Sequence, residues 1–360
     1  MSCDLGRYGR PMTRRRFVPL VACLALIGAA AGCTSSDSGG SAARSTTTTA
    51  AETAGTPSKG CDVDPLPAGR TVVKITSGGL GRTYVRYVPK GLAAGEPAPM
   101  VIDFPAYSPA TLEEDFSGLT KPDADGKVLA DSVGAVVVTP EPVNGSGSLL
   151  TWNYVGTKGW TDDQAFTTDV LDDIQAAACI DEDRVLATGF AVGAVFASIY
   201  TCDHADRISV LATVSGLYSP SGCQPSDPVP VISIHGTGDR FVPYDGGVGS
   251  GPAGLGLTPE TIAGLVFMGD RPGAVASSTA WAYHDGCGSE PERSTVNDRV
   301  TRDVWTGCGD GSSVELFTIA GGEHTWPGSV GMAAYVNLLG PVSDAINAND
   351  LIWDFFDSQT

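Results

Sequence analysis

Short apolar runs set the rhythm of most of this chain. Period-two alternation and continuous apolar runs predict strands near residues 71–77, 82–89, 99–104, 134–139, 184–189, 209–215, 229–235, 299–305 and 313–319. Apolar positions at helical spacing predict helices near 162–178, 191–202, 275–284 and 341–356. Strands come first and then alternate with helices, which predicts an α/β fold with a mostly parallel central sheet and helices on both faces. Residues 246–273 are rich in glycine and interrupt this alternation. They are expected either to loop over a site or to be a plain surface insertion.

The N-terminal pattern is different. Thr13-Arg-Arg-Arg-Phe-Val is followed by an apolar body, Pro19 to Ala31, that is too short and too interrupted to span a bilayer. Residues 1–32 therefore read as an export signal, and the paired arginines resemble a twin-arginine leader. Ala30-Ala-Gly-Cys33 resembles a lipoprotein cleavage box, which makes Cys33 the expected lipidated first residue; a plain secretory signal with an incidental cysteine is the alternative. Residues 33–60, mostly Ser, Thr, Gly and Ala, cannot bury enough apolar surface to fold and form a tether with a reach on the order of 30 Å. Residues 61–360 suit one large α/β domain. The expected location is the cell envelope, lipid-anchored to the outer face of the cytoplasmic membrane, or else the medium.

Charge narrows the partners. The formal net charge is −19, and loss of residues 1–32, with five Arg and one Asp, leaves −23. Such a surface disfavours nucleic acid, and membrane contact is expected only through the lipid anchor. The chain has no internal repeat and no metal-ligand spacing, and nothing in it calls for a cofactor.

The candidate chemistry lies at strand ends. Residues 189–193 read Gly-Phe-Ala-Val-Gly between a predicted strand and a predicted helix, which is the context of a G-x-S-x-G nucleophile elbow with Ala191 in the serine position. Asp239 closes His235-Gly-Thr-Gly-Asp after one strand, and His324 closes a glycine loop after another. The order 191, 239, 324 is that of nucleophile, acid and base in α/β-hydrolases. His235 is expected to be structural, His204 to sit in a solvated loop and His284 on a packed helix. Asp162 and Asp163 follow Thr161 at a helix start, where carboxylates favour the positive end of the dipole.

Further marks are Trp152-Asn153, Asp162-Asp163-x-Ala-Phe166, Cys179-Ile-Asp-Glu-Asp-Arg-Val-Leu-Ala-Thr-Gly-Phe190, Val242-Pro-Tyr-Asp-Gly-Gly247, Gly286-Cys287, Trp305-Thr-Gly-Cys308 and Gly322-Glu-His-Thr-Trp-Pro-Gly328. In these the chain resembles the polyhydroxybutyrate depolymerase and feruloyl esterase family of α/β-hydrolases, over nearly all of residues 61–357. The resemblance implies the α/β-hydrolase fold, Asp239 as triad acid, His324 as triad base, and Ala191 where the family has serine. It also implies that the loop after Met100-Val-Ile-Asp-Phe104 supplies an oxyanion donor. Here that loop is Pro105-Ala106-Tyr107-Ser108 in place of the usual His-Gly, and Pro105 has no N–H. The N–H of Val192 remains as the elbow's own donor, although the family usually has asparagine there. Trp326 is a possible substrate wall, and Trp152 is either core or the rim of such a wall.

Six cysteines in an exported domain suggest disulfides, and fifteen connectivities are possible. Cys287 with Cys308 is expected because one ends a predicted helix and the other a predicted strand. Cys179 with Cys202 and Cys61 with Cys223 rest on the resemblance. Three functional readings follow. The first is a noncatalytic relative that binds a small ester, polyester or polysaccharide-linked ligand, or an envelope protein. The second is a weak esterase that uses a water activated by His324, or Ser108. The third is an ordinary esterase whose sequence was altered by engineering or error. The family's range suggests short hydroxyacyl polyesters or aromatic-acid esters of plant polysaccharide as ligands.

Overall fold

The computed structural model describes residues 55–107, 109–146, 149–154, 156–251 and 271–360. Cys33, the export signal, Ser108 and residues 252–270 of the glycine-rich stretch lie outside the described residues. The strands of the main sheet are β1 (Gly69–Ser77), β2 (Leu80–Val88), β3 (Ala98–Phe104), β4 (Val136–Pro140), β5 (Ile180–Phe190), β6 (Val210–Val214), β7 (Val231–Gly236), β8 (Glu292–Asn297), β9 (Val300–Trp305) and β10 (Val314–Ile319). They lie in the order β1-β2-β4-β3-β5-β6-β7-β10-β9-β8. From β4 through β10 every pairing is parallel. Antiparallel hairpins close both edges. The first hairpin turns on Gly78 and Gly79, whose φ values of 57° and 79° suit a two-residue turn.

Successive residues of a strand face opposite sides, so the central strands feed two cores. Met100, Ile102 and Phe104 of β3 pack on one face, where helices α2 (Asp163–Ala177), α3 (Val192–Asp203) and α4 (Ala274–His284) contribute Phe166, Phe196 and Trp281. Val101 points to the other face, where α1 (Ala110–Ser117) and α5 (Ala348–Gln359) contribute Phe116, Ile352 and Phe356. Burial on both faces explains why β3, β6 and β7 are mostly apolar without a period-two alternation. This strand order, with its antiparallel second strand and helices on both faces, is the α/β-hydrolase fold.

The structure corrects several expectations. β8 was not predicted because Glu-Arg-Ser-Thr-Val-Asn is an almost wholly exposed edge strand with no apolar face. The last helix begins at Ala348, seven residues later than predicted, because Asn347 caps it by accepting from the Asn349 N–H at 3.0 Å. Of the three disulfides among the described residues, Cys287 and Cys308 pair as expected. Cys179 does not pair with Cys202, nor Cys61 with Cys223; the bonds are Cys61 to Cys179 and Cys202 to Cys223. The cause is local. Pro57 bridges to Asp181 and the Ser58 N–H donates to the Ile180 carbonyl at 2.8 Å, which lays Cys61 against Cys179 at the start of β5. Cys202, in the last turn of α3, is thereby left to Cys223. Attachment to the domain thus starts near residue 56, ahead of residue 61, with Thr56 also donating to Asp183.

Candidate active site

The ends of β5, β7 and β10 on one edge of the sheet's centre build the site. At the end of β5 the chain reverses into α3 through Ala191, held at φ 52° and ψ −116°. A side chain with a Cβ rarely takes that conformation. Its N–H donates to the Val214 carbonyl of β6 at 3.0 Å, which fixes the turn to the sheet. A Cβ on Gly193 would lie 1.9 Å from the Phe104 carbonyl oxygen, and one on Gly189 would lie 2.8 Å from that same atom. Only glycine lets β3, β5 and α3 approach this closely. Val192 is the first residue of α3, so its N–H has no intrahelical acceptor.

β7 and β10 are adjacent, and their end loops are joined. The Gly238 N–H donates to the Gly322 carbonyl at 2.8 Å, and the Gly321 N–H to Thr237 Oγ1 at 2.8 Å. This brings Asp239 Oδ2 to 2.8 Å from His324 Nδ1. The other carboxylate oxygen, Oδ1, accepts the N–H groups of Phe241 and Val242, each at 2.8 Å. His235 donates from Nε2 to the Val242 carbonyl at 2.8 Å and reaches Asp239 Oδ2 at 3.4 Å. Burial alone would raise the Asp239 carboxyl. The charge of His324, with hydrogen bonds from His235 and His324, outweighs it and holds the group well below the usual carboxylate range. An ionised Asp239 keeps the proton on His324 Nδ1 and leaves Nε2 with the free lone pair. The imidazole lies stacked 4.9 Å from the Phe241 ring and 4.6 Å from Phe190, the residue before Ala191.

The loop after β3 is fixed from two sides. Trp152 Nε1 donates to the Pro105 carbonyl at 2.7 Å, and the Ala106 N–H donates to Glu113 Oε2 at 3.2 Å. Tyr107 packs half-buried against the same apolar cluster as Ala106, Ala191 and Trp326. Trp326 is not a substrate wall, and of the two readings of Trp152 the structure shows core. Trp152 is fully buried and stacks on Phe196 at 4.4 Å, and Trp326 is fully buried with its Nε1 on Asn349 Oδ1 at 2.9 Å. Asp162 caps α2 through the Ala165 N–H, and Asp163 pairs with buried Arg82 at 2.8 Å, so neither belongs to the site.

Behind the turn lies a pair of acids that sequence reasoning missed. Asp103 of β3 and Glu113 of α1 are both buried, with Ser117 Oγ donating to Asp103 at 2.7 Å. Burial raises the Asp103 carboxyl to about 8. It raises Glu113 well above the usual range too, and the charge of Asp103 adds to that. Asp103 left one signal in the sequence, an acid inside the apolar run Met-Val-Ile-Asp-Phe.

No model of a known protein family matches the chain. It is 28% identical over 249 residues to feruloyl esterase B of Piromyces equi, covering 68% of this chain and 42% of that protein. It is 28% identical over 166 residues to a bifunctional acetylxylan esterase/xylanase of Neocallimastix patriciarum, covering 46% and 22%. Feruloyl esterase D of Neurospora crassa is 23% identical over 290 residues, covering 76% and 84%. The chain spans less than half the length of the first two relatives. Its relatives are thus feruloyl esterases and other esterases at modest identity, and it carries an esterase-like α/β-hydrolase domain.

Proposed function

We propose that this chain is an exported pseudoenzyme, a carboxylic-ester-hydrolase domain that binds its ligand without cleaving it. The observation that carries this reading is a methyl group, that of Ala191, at the strained turn where an α/β-hydrolase holds its nucleophilic serine, beside an Asp239 and His324 pair whose geometry is kept. His324 would have a proton acceptor ready in Nε2 and no hydroxyl to activate. Removal of the serine from a serine protease costs roughly 10⁶ in turnover, about 8 kcal/mol of barrier.

The oxyanion side supports the same conclusion. Pro105 offers no N–H, and that of Ala106 is engaged by Glu113. A ligand carbonyl above Ala191 would meet the Val192 N–H without a full set of donors. The names of the relatives favour an aromatic-acid ester, free or on polysaccharide, as the ligand class. Short hydroxyacyl polyesters and an envelope protein are the other expected partners. Disulfides fit an oxidising compartment outside the cytoplasm. Among the described residues no helix is long and apolar enough to cross a membrane, and attachment is assigned to a lipid on Cys33.

The test is hydrolysis of p-nitrophenyl acetate and butyrate by the purified protein beside a His324→Ala variant. Equal background rates are expected. Wild-type turnover that is lost in His324→Ala would overturn the noncatalytic reading and direct the search for a nucleophile to Ser108.

A further inference from the structure

The peptide bond joining Pro105 to Ala106 is gripped at both of its polar ends. Its carbonyl accepts from Trp152 Nε1 at 2.7 Å, and its N–H donates to Glu113 Oε2 at 3.2 Å. The C=O and N–H of a trans peptide point in opposite directions, so two partners on opposite sides fix the rotation of the whole plane. The partners come from opposite faces of the sheet. Trp152 packs with Phe104 and Phe196 in one core. Glu113 belongs to α1, whose Phe116 packs in the other. Glu113 itself is fully buried, so the N–H it accepts is directed into the protein.

We infer that Glu113 is a positioning residue for the candidate site: its carboxyl, opposed by Trp152, locks the loop after β3 with the Ala106 N–H turned inward. α1 is held in place for the task by the Arg70 to Glu114 ion pair at 2.8 Å and by the Ala110 N–H donating to Glu141 at 3.1 Å. Ser117, one turn after Glu113, bridges its carbonyl to Asp103. The inference depends on the functional reading only in taking residues 105–107 as the loop that faces the ligand.

Hydrogen exchange at single amides of the full-length protein tests it without ligand or turnover, so it can fail independently of the noncatalytic reading. Glu113→Leu removes the acceptor, and the Ala106 amide is expected to exchange at least about 10-fold faster, the scale of one lost hydrogen bond. Glu113→Gln retains an acceptor oxygen and is expected to keep the wild-type rate within about threefold. Amides of the β8 and β9 hairpin serve as the reference for an intact fold. The inference is overturned if Glu113→Leu leaves Ala106 unchanged, or if Glu113→Gln loses protection as fully as Glu113→Leu. Should Glu113→Leu fail to fold, Trp152→Phe frees the same peptide from its other side. Unchanged Ala106 exchange in that variant would equally overturn the inference.

Discussion

At Ala191 a residue with a Cβ is held at φ 52° and ψ −116°, a conformation whose cost is of order 1–3 kcal/mol for a non-glycine residue. In a serine hydrolase that strain exposes the nucleophile; a methyl group gains nothing from it. Ala191→Gly is therefore expected to stabilise the protein by about 1 kcal/mol, after glycine's entropic cost of roughly 0.5–1 kcal/mol is offset. Urea unfolding measures this as a higher midpoint at unchanged slope, and a lower midpoint would show that the turn is unstrained. The glycines flanking Ala191 were legible in the sequence because their spacing has a steric cause, seen in the contacts of Gly189 and Gly193 with the Phe104 carbonyl. Glu113 was not legible, since an acid within a short helix reads as a solvated one. Trp326 was misread because nearness to His324 in sequence does not fix the direction of its side chain, which turns to Asn349.

Between β3 and α1 the buried acids give the protein a pH signature. Asp103 is raised to about 8 and Glu113 is raised as well, both chiefly by burial. The folded state thus holds protons that the unfolded chain releases above the ordinary carboxylate range near 4. Their contribution is complete below that range and is lost as pH rises towards 8. Asp285, raised to about 7 by burial, acts in the same direction. Asp239 has the opposite sign: its lowered value stabilises above the carboxylate range, and that contribution is lost in acid. The urea midpoint is expected to fall between pH 5 and pH 8 in the wild type and to fall less in Asp103→Asn. Equal slopes would contradict the assignment. At this scale the sequence showed the central strands well, since burial on both faces leaves mostly apolar runs. The polar strand β8 and the delayed start of α5 depended on edge pairing and on one capping side chain.

The whole domain is polar in its layout. Residues 56–62 attach at the first residues of β5 through the Cys61–Cys179 disulfide, whereas Ala191 follows its last residue. An 11-residue strand separates the two by on the order of 35 Å. The point where residues 56–62 attach thus lies at the opposite end of β5 from Ala191. Cys33→Ser is expected to move the protein from the membrane fraction to the soluble one, and an unchanged membrane fraction would count against lipidation. The disulfide pattern was the part of this layout least open to reading, because spacing alone does not reveal that residues 56–61 fold back onto β5.

The central claim is that the site has kept a base and lost its nucleophile, and labelling with a fluorophosphonate probe tests it most directly. Wild-type protein is expected to stay unlabelled. Ala191→Ser is expected to label slowly and only while His324 is present. Its rate should lie at least ~100-fold below that of the same change combined with Pro105→His and Ala106→Gly, since a missing oxyanion donor costs about 3–4 kcal/mol. Labelling of the wild type, abolished by His324→Ala, would contradict the account.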